Sequence, residues 1–181
     1  MNLLREFDQA QTADVGPELH SFIEELFPIC RSITGAGVRR TLSAIQKRLQ
    51  LETVEIPTGT AVFDWTIPRE WNIRDAYIKD PDGNRIVDFQ RSNLHVMSYS
   101  VPIRATMPLS ELKPHLFTIP DKPNWIPYRT SYYKENWGFC LSHDQMLALR
   151  DGDYEVLIDA TLEDGPAAVL ALPGLLSGAT G

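Results

Sequence analysis

The chain has 181 residues, of which 43% are hydrophobic, and a formal net charge of −7 at pH 7. This length and apolar content suffice for one substantial hydrophobic core and exclude a chain that is disordered throughout. The acidic charge and the absence of a Lys/Arg cluster argue against a nucleic-acid partner. No apolar run reaches the ~20 residues that cross a bilayer, and residues 1–11 lack the pattern of a secretory signal. We therefore expect a cytoplasmic protein with no membrane partner.

The first part of the chain predicts two helices followed by a strand. In the first helix, apolar residues recur at helical spacing up to Pro28, where the helix must end or bend. These residues are Leu19, Phe22, Ile23, Leu26 and Phe27. A second helix is predicted over residues 38–49, entered through a glycine-containing turn at residues 32–37 that we interpret as flexible. Residues 51–56 then alternate as a strand.

The middle of the chain has the alternation of β-structure. Strands at residues 73–79 and 85–89 flank a turn-rich segment and predict a hairpin. A short helix is expected after Pro108, with Leu109, Leu112 and Leu116 facing inward. Ser142 and Gln145 form a capping-box signature for a helix at residues 143–150, and a strand follows at 154–159. We interpret the helical opening and this last strand as one α/β layer, with the β-rich middle inserted between them.

The last 17 residues, 165–181, contain no charged side chain. Pro166, Pro173 and Gly174 make a regular helix improbable there. Two interpretations stay open: an apolar tail that packs on the core, or a chain that ends abnormally and exposes apolar surface.

Most common catalytic signatures are absent from the sequence. The four histidines, His20, His95, His115 and His143, show no metal-ligand spacing, and no phosphate-binding loop, nucleophile elbow or dinucleotide fingerprint occurs. Cys30 and Cys140 are expected to be buried small hydrophobes, with a Cys140–His143 cysteine hydrolase as a minor alternative.

Residues 125–139 contain a dense group of aromatic side chains next to Arg, Asn and Ser. Such a group can stack on and hydrogen-bond a sugar ring or a peptide side chain. It can equally anchor the core of the β-rich region. Both interpretations remain open at this point.

Several long, ordered strings resemble the aminopeptidase-like zinc hydrolases that carry an inserted domain of unknown function and are often linked to polysaccharide biosynthesis. The resemblance covers about residues 18–165. The strings are residues 27–35 (FPICRSITG), 57–60 (PTGT), 63–65 (FDW), 70–78 (EWNIRDAYI), 125–133 (WIPYRTSYY), 137–143 (WGFCLSH), 154–156 (YEV) and 162–165 (LEDG).

This resemblance implies an incomplete zinc-exopeptidase-like α/β/α layer, and so an α/β fold class, with an inserted β-rich, jelly-roll-like domain. The implied divisions are a polar leader (1–16), the start of the α/β domain (17–60), the insert (61–145), a return to the α/β domain (146–165) and a divergent apolar tail (166–181). In the family the zinc ligands begin in a His-x-Cys-His-Pro segment that this sequence lacks. We interpret the departure after Gly165 as the mark of a frameshift or a fragment.

For intact relatives the resemblance implies zinc-dependent hydrolysis of a peptide or related amide bond in a small substrate. For this chain it implies no zinc, no catalytic residue and no activity. The chain would instead supply scaffold and the wall of a substrate cleft. The candidate lining residues are Arg31, Arg129, Tyr132, Tyr133 and Trp137; Arg31 could equally be a structural cap. The alternative function is a non-catalytic β module that binds carbohydrate or protein.

Overall fold

The computed structural model describes residues 15–131 and 134–171, and the chain forms two compact units, Met1–Cys30 and Arg31–Gly181. In the first unit, helix α1 (Val15–Leu26) confirms the first predicted helix. None of its residues is buried, and Leu19 and Ile23 are 55% and 62% exposed. The apolar spacing therefore predicts the helix correctly, although its apolar face lies open.

The second unit begins with helix α2 (Ala36–Gln46) and strand β1 (Glu52–Pro57), both of which the sequence predicts. Strand β1 pairs antiparallel with β10 (Pro166–Ala171), from Glu52 opposite Ala171 to Pro57 opposite Pro166. The start of the apolar tail is thus a regular strand, which the sequence analysis missed. The rest of that tail, residues 172–181, lies outside the described residues, as does most of the predicted polar leader.

A four-stranded antiparallel sheet forms the centre of this unit. Its strands are β4 (Glu70–Lys79), β5 (Arg85–Asp88), β6 (Ile103–Pro108) and β9 (Asp153–Glu163). They follow the order β5-β4-β9-β6 across the sheet. The predicted hairpin is confirmed by the pairing of β4 with β5, with the turn between them closed by the carboxylate of Asp80, which accepts from the Asn84 amide at 2.9 Å.

One face of this sheet forms the core because its apolar residues recur at every second position. In β9, Tyr154, Val156 and Ile158 are each at most 1% exposed. In β4 the most deeply buried positions change parity from Trp71 to Ala76 and Ile78, although Tyr77 is also buried, and the pairing register with β9 shifts between Ile73 and Asp75. A β-bulge at this point explains the change, since one extra residue turns the following side chains to the other face.

The position of β9 corrects one expectation. The sequence pattern predicts residues 154–159 in the opening α/β layer, yet β9 lies between β4 and β6, inside the β-rich sheet. Alternation along a strand shows which side chains share a face but not which strand lies next to it. The predicted domain boundaries themselves stay a prediction.

The remaining elements are short. Helix α3 (Leu109–Leu112) continues as a 3₁₀ turn over Lys113–His115, and Leu109, Leu112 and Leu116 are buried, as predicted. Helix α4 (His143–Leu147) has the predicted capping box but ends earlier than expected. Two small pairs complete the unit: β2 (Ala61–Val62) with β3 (Trp65–Thr66), and β7 (Leu116–Phe117) with β8 (Phe139–Cys140). The described chain is therefore a mixed helix and sheet structure.

Candidate functional site

The turn that enters α2 is tightly packed against the start of β4. Gly35 has φ 92°, and a Cβ atom there would lie 2.3 Å from the carbonyl oxygen of Trp71. Only glycine combines this backbone conformation with the absence of a side chain. The first amide of the helix, that of Ala36, donates to the Asn72 side chain at 2.7 Å, so β4 supplies a cap that the local sequence lacks. The glycine content predicts a flexible turn, whereas these contacts constrain it.

Thr34, next to this glycine, connects the turn to Tyr99. Its side chain is buried, its hydroxyl accepts from the Trp71 amide at 3.2 Å, and the same hydroxyl lies 2.5 Å from the Tyr99 hydroxyl. Tyr99 has φ 66°, which is unfavourable for a bulky residue, and its ring stacks on that of Trp71 with centroids 5.9 Å apart. Strain of this kind persists only where surrounding contacts enforce it, and it concentrates at functional sites.

The structure places Arg31 on the outside of the same turn. Its guanidinium donates to the hydroxyl of Thr41 on α2 at 3.1 Å, and the residue is exposed. This contact agrees with a structural role in holding the turn on the helix. The expectation that Arg31 lines a cleft stays a prediction.

Trp137 and Arg129 both lie in a cluster of aromatic side chains. The Trp137 ring stacks on His115 at 3.6 Å between centroids and meets Phe139 edge-on at 6.4 Å. The Arg129 guanidinium lies 4.4 Å from the centre of the Phe117 ring. These contacts favour the core interpretation for Trp137, whereas Arg129 is exposed and covers the Phe117 ring from outside. The role of both residues in a cleft stays a prediction. Tyr132 and Tyr133 lie outside the described residues.

Two other aromatic side chains of this segment are open to solvent. Trp125 and Tyr128 are 59% and 64% exposed, and the ammonium of Lys122 lies 3.9 Å from the centre of the Trp125 ring. The segment therefore divides into a packed part and an exposed part, a division that the sequence did not reveal.

The chemistry of Cys140 argues against a cysteine hydrolase. The residue is fully buried, and this burial raises the pKa of its thiol to about 11. The thiol is therefore protonated at neutral pH, whereas the nucleophile must be the thiolate. The expected base, His143, shares a hydrogen bond with Thr118 through Nδ1, at 3.0 Å from the Thr118 hydroxyl.

A small cavity at one end of the four-stranded sheet was missed by the sequence analysis. It has a volume of about 60 Å³, and the described residues that line it are Pro68, Arg69, Tyr99, Ser131, Glu135 and Leu162. These residues come from four separate segments, and no local motif joins them. The strained backbone at Tyr99 also leaves no mark in the amino-acid sequence.

The described residues do not provide a metal site. Within residues 15–131 and 134–171, no group of three or more His, Cys, Asp or Glu side chains is arranged to hold an ion. The described residues therefore offer no ligand set for the zinc that the resemblance implies in intact relatives. Nor is any helix in this part of the chain long and apolar enough to cross a membrane.

The fold of the chain is similar to that of a protein described as a peptidase. It superposes on a solved structure described as a "putative peptidase" from Clostridium acetobutylicum with a TM-score of 0.84 and 56% identity, covering 88% of this chain and 38% of that one. Residues 70–161, just over half of the chain, match the family described as a domain of unknown function (DUF2172). The chain belongs to this family.

A curated relative from the same organism points to the same class. It is described as a "putative polysaccharide biosynthesis protein with aminopeptidase-like domain" and is 58% identical over 154 residues. The match includes 85% of this chain but 36% of the relative. The chain thus spans little more than a third of the length of either protein.

Proposed function

We propose that the chain supplies the scaffold and the β-rich, jelly-roll-like part of a zinc-dependent, aminopeptidase-like hydrolase that cleaves a peptide or related amide bond. The observation that carries this proposal is the 58% identity to a relative whose name includes an aminopeptidase-like domain. The TM-score of 0.84 to a structure described as a peptidase supports it.

The described residues take no part in metal chemistry under this proposal. Zinc, where such hydrolases bind it, polarises the scissile carbonyl and activates a water molecule. The described part of this chain has no suitable ligand cluster, so its contribution is to hold the fold and one wall of the substrate cleft. Arg31, Arg129 and Trp137 are the described candidates for that wall.

Zinc content and hydrolysis test the proposal. The purified chain and the full-length Clostridium acetobutylicum relative are dialysed against zinc, analysed by plasma mass spectrometry and assayed with amino-acid p-nitroanilides. We expect the relative to retain zinc and to hydrolyse at least one substrate, and the chain to do neither. If the purified chain by itself bound stoichiometric zinc and hydrolysed a substrate, the scaffold role proposed for it would be wrong. If the full-length relative neither retained zinc nor hydrolysed any substrate, the proposed zinc-dependent hydrolysis would be wrong.

The exposed aromatic residues favour a second candidate function, a non-catalytic module that binds carbohydrate. Trp125 and Tyr128 are both more than half exposed, and the Lys122 ammonium lies over one face of the Trp125 ring. Titration of the chain with oligosaccharides tests this function, with Trp125→Ala as the variant that should abolish binding. Leu147→Ala is the control, because Leu147 is 69% exposed in helix α4. Equal binding by all three proteins, or by none, argues against this function.

A further inference from the structure

The cavity beside Tyr99 lies where β4 begins and β9 ends. Pro68 and Arg69 directly precede β4, and Leu162 pairs with Trp71 in the sheet register. Ser131 and Glu135 come from the long loop between β7 and β8. The floor of the cavity therefore rests on the central sheet, while loops form its walls.

Several contacts fix these walls in place. The Tyr99 ring is held by stacking on Trp71 and by the 2.5 Å contact of its hydroxyl with Thr34. The Ser131 hydroxyl donates to the main-chain oxygen of Tyr99 at 3.1 Å, and the Ser131 amide donates to Ser98 O at 3.0 Å. A site whose walls are already ordered loses little conformational entropy when a ligand binds.

Two opposite charges lie side by side at this cavity. Arg69 donates through Nη2 to the Glu135 carboxylate, and the two side chains are 42% and 70% exposed. An ion pair this exposed contributes about 0–1 kcal/mol, so a ligand can replace either partner at small cost. A guanidinium binds a carboxylate through two parallel hydrogen bonds, and a carboxylate accepts from an ammonium.

Two buried hydroxyls without partners lie in the chain segments that supply Tyr99 and Ser131, outside the described lining of the cavity. Ser98 Oγ and Thr130 Oγ1 have no hydrogen-bond partner among the described residues, and Ser98 is 7% exposed. Each residue directly precedes one that lines the cavity, Tyr99 and Ser131. Buried polar atoms are nearly always satisfied by protein, ordered water or ligand. Ser98 and Thr130 pair in an isolated β-bridge, so their unused hydrogen-bonding capacity lies next to the segments that form the cavity and not in its lining.

We propose that this cavity binds a small α-amino acid as its zwitterion, with Arg69 on the carboxylate and Glu135 on the ammonium. The cavity volume of about 60 Å³ corresponds to roughly four to six water-sized groups, which suits glycine or alanine. The proposal does not depend on the proposed hydrolase activity, because the two charged residues that it uses are both described and binding needs no metal.

The test is a titration of the intact chain, followed by the amide resonances of Tyr99 and Ser131. Alanine is compared with N-acetylalanine, which keeps only the carboxylate, and with alanine amide, which keeps only the ammonium. We expect saturable shifts with alanine and binding weaker by about tenfold or more with each single-charge analogue. Absence of saturable shifts with millimolar alanine overturns the proposal, as does an analogue that binds as tightly as alanine.

Variants assign the roles of the two charges. Arg69→Gln and Glu135→Gln should each weaken alanine binding by about tenfold or more, since each removes one charge-assisted contact. Arg74→Gln is the matched control, because Arg74 belongs to an exposed ion pair with Asp159 on the sheet. Far-UV circular dichroism establishes that all three variants fold. Wild-type affinity in both cavity variants, or an equal loss in the control, overturns the assignment.

Discussion

Helices α1 and α2 have similar apolar spacing in the sequence but very different surroundings in the structure. Helix α2 buries Thr41, Leu42 and Ala44, whereas α1 buries none of its residues. Helix α2 also makes polar contacts with residues far away in the sequence. Asn72 accepts from its first amide, and Arg39 on the helix donates to two acidic side chains, Glu55 and Glu70. Apolar spacing thus predicts that a helix forms, while contacts from distant residues decide which face is buried.

A matched pair of leucine truncations tests this difference and should give the largest effect. Leu42 is 8% exposed in α2, so Leu42→Ala should lower the free energy of unfolding by about 2–4 kcal/mol through lost burial and the cavity left behind. Leu19 is 55% exposed in α1, and Leu19→Ala should change the free energy of unfolding by less than about 0.5 kcal/mol.

Urea unfolding followed by tryptophan fluorescence provides the measurement for this pair. All four tryptophans lie within Arg31–Gly181, so the signal reports the unit that contains α2. Equal losses of unfolding free energy in the two variants would show that the apolar face of α1 is packed in solution. The proposed difference between α1 and α2 would then be wrong.

The glycines at the starts of the two helices should respond in opposite directions. Gly35→Ala must hold an unfavourable backbone conformation, which costs about 1–3 kcal/mol, and its new Cβ meets the Trp71 carbonyl. At Gly16 in α1, an added Cβ would have no heavy atom within 4 Å, so Gly16→Ala should stabilise that helix by up to about 1 kcal/mol.

Urea unfolding measures the first of these variants, and hydrogen exchange of the α1 amides measures the second. A Gly35→Ala protein as stable as the wild type would show that the turn is flexible, as the sequence suggested. Faster exchange in Gly16→Ala would indicate a close neighbour at that position.

These residues show how much the sequence could predict. Local periodicity and the Ser142–Gln145 capping signal gave both long helices, the β4–β5 hairpin and the start of α4. Strand neighbours depend on contacts far apart in the chain, so the pairing of β1 with β10 and the central place of β9 were not visible. The Tyr99 cavity was missed for the same reason, because its charges come from Arg69 and Glu135 on separate segments.

The anchor of α2 at Arg39 should have an intermediate effect. Its guanidinium donates to both carboxylate oxygens of Glu70, at 2.7 and 3.0 Å, and to Glu55 at 2.6 Å. Arg39→Met should lower stability by about 1–3 kcal/mol at pH 7, because Glu70 then stays largely buried without its partner. Arg74→Met, which removes the exposed pair with Asp159, is the control and should cost less than about 1 kcal/mol. Equal losses in the two variants would show that Arg39 is no stronger an anchor than a surface pair.

The same contact predicts a pH dependence. The hydrogen bonds from Arg39 hold the pKa of Glu70 below its ordinary value. The unfolded chain then binds protons at Glu70 more readily than the folded chain, so this stabilisation is complete above the ordinary Glu pKa and is lost as the pH falls through the lower folded value. The difference in unfolding free energy between wild type and Arg39→Met should therefore shrink as the pH is lowered from 7 to about 3. A difference that is constant over this range would exclude Glu70 as the titrating partner.

The smallest effect is expected for the polar face of α1. His20 Nδ1 lies 3.7 Å from the Glu24 carboxylate one turn later, and the two side chains are 74% and 69% exposed. Pairs of this kind on a helix surface contribute about 0.2–0.5 kcal/mol at most. His20→Ala should therefore change amide exchange in α1 by no more than about twofold, since a factor of ten corresponds to about 1.4 kcal/mol. A much larger change would mean that His20 makes a stronger contact in solution than an exposed pair. Helix α1 would then have a polar anchor of its own, as α2 has in Arg39, and the contrast between the two helices would lie in their apolar faces alone.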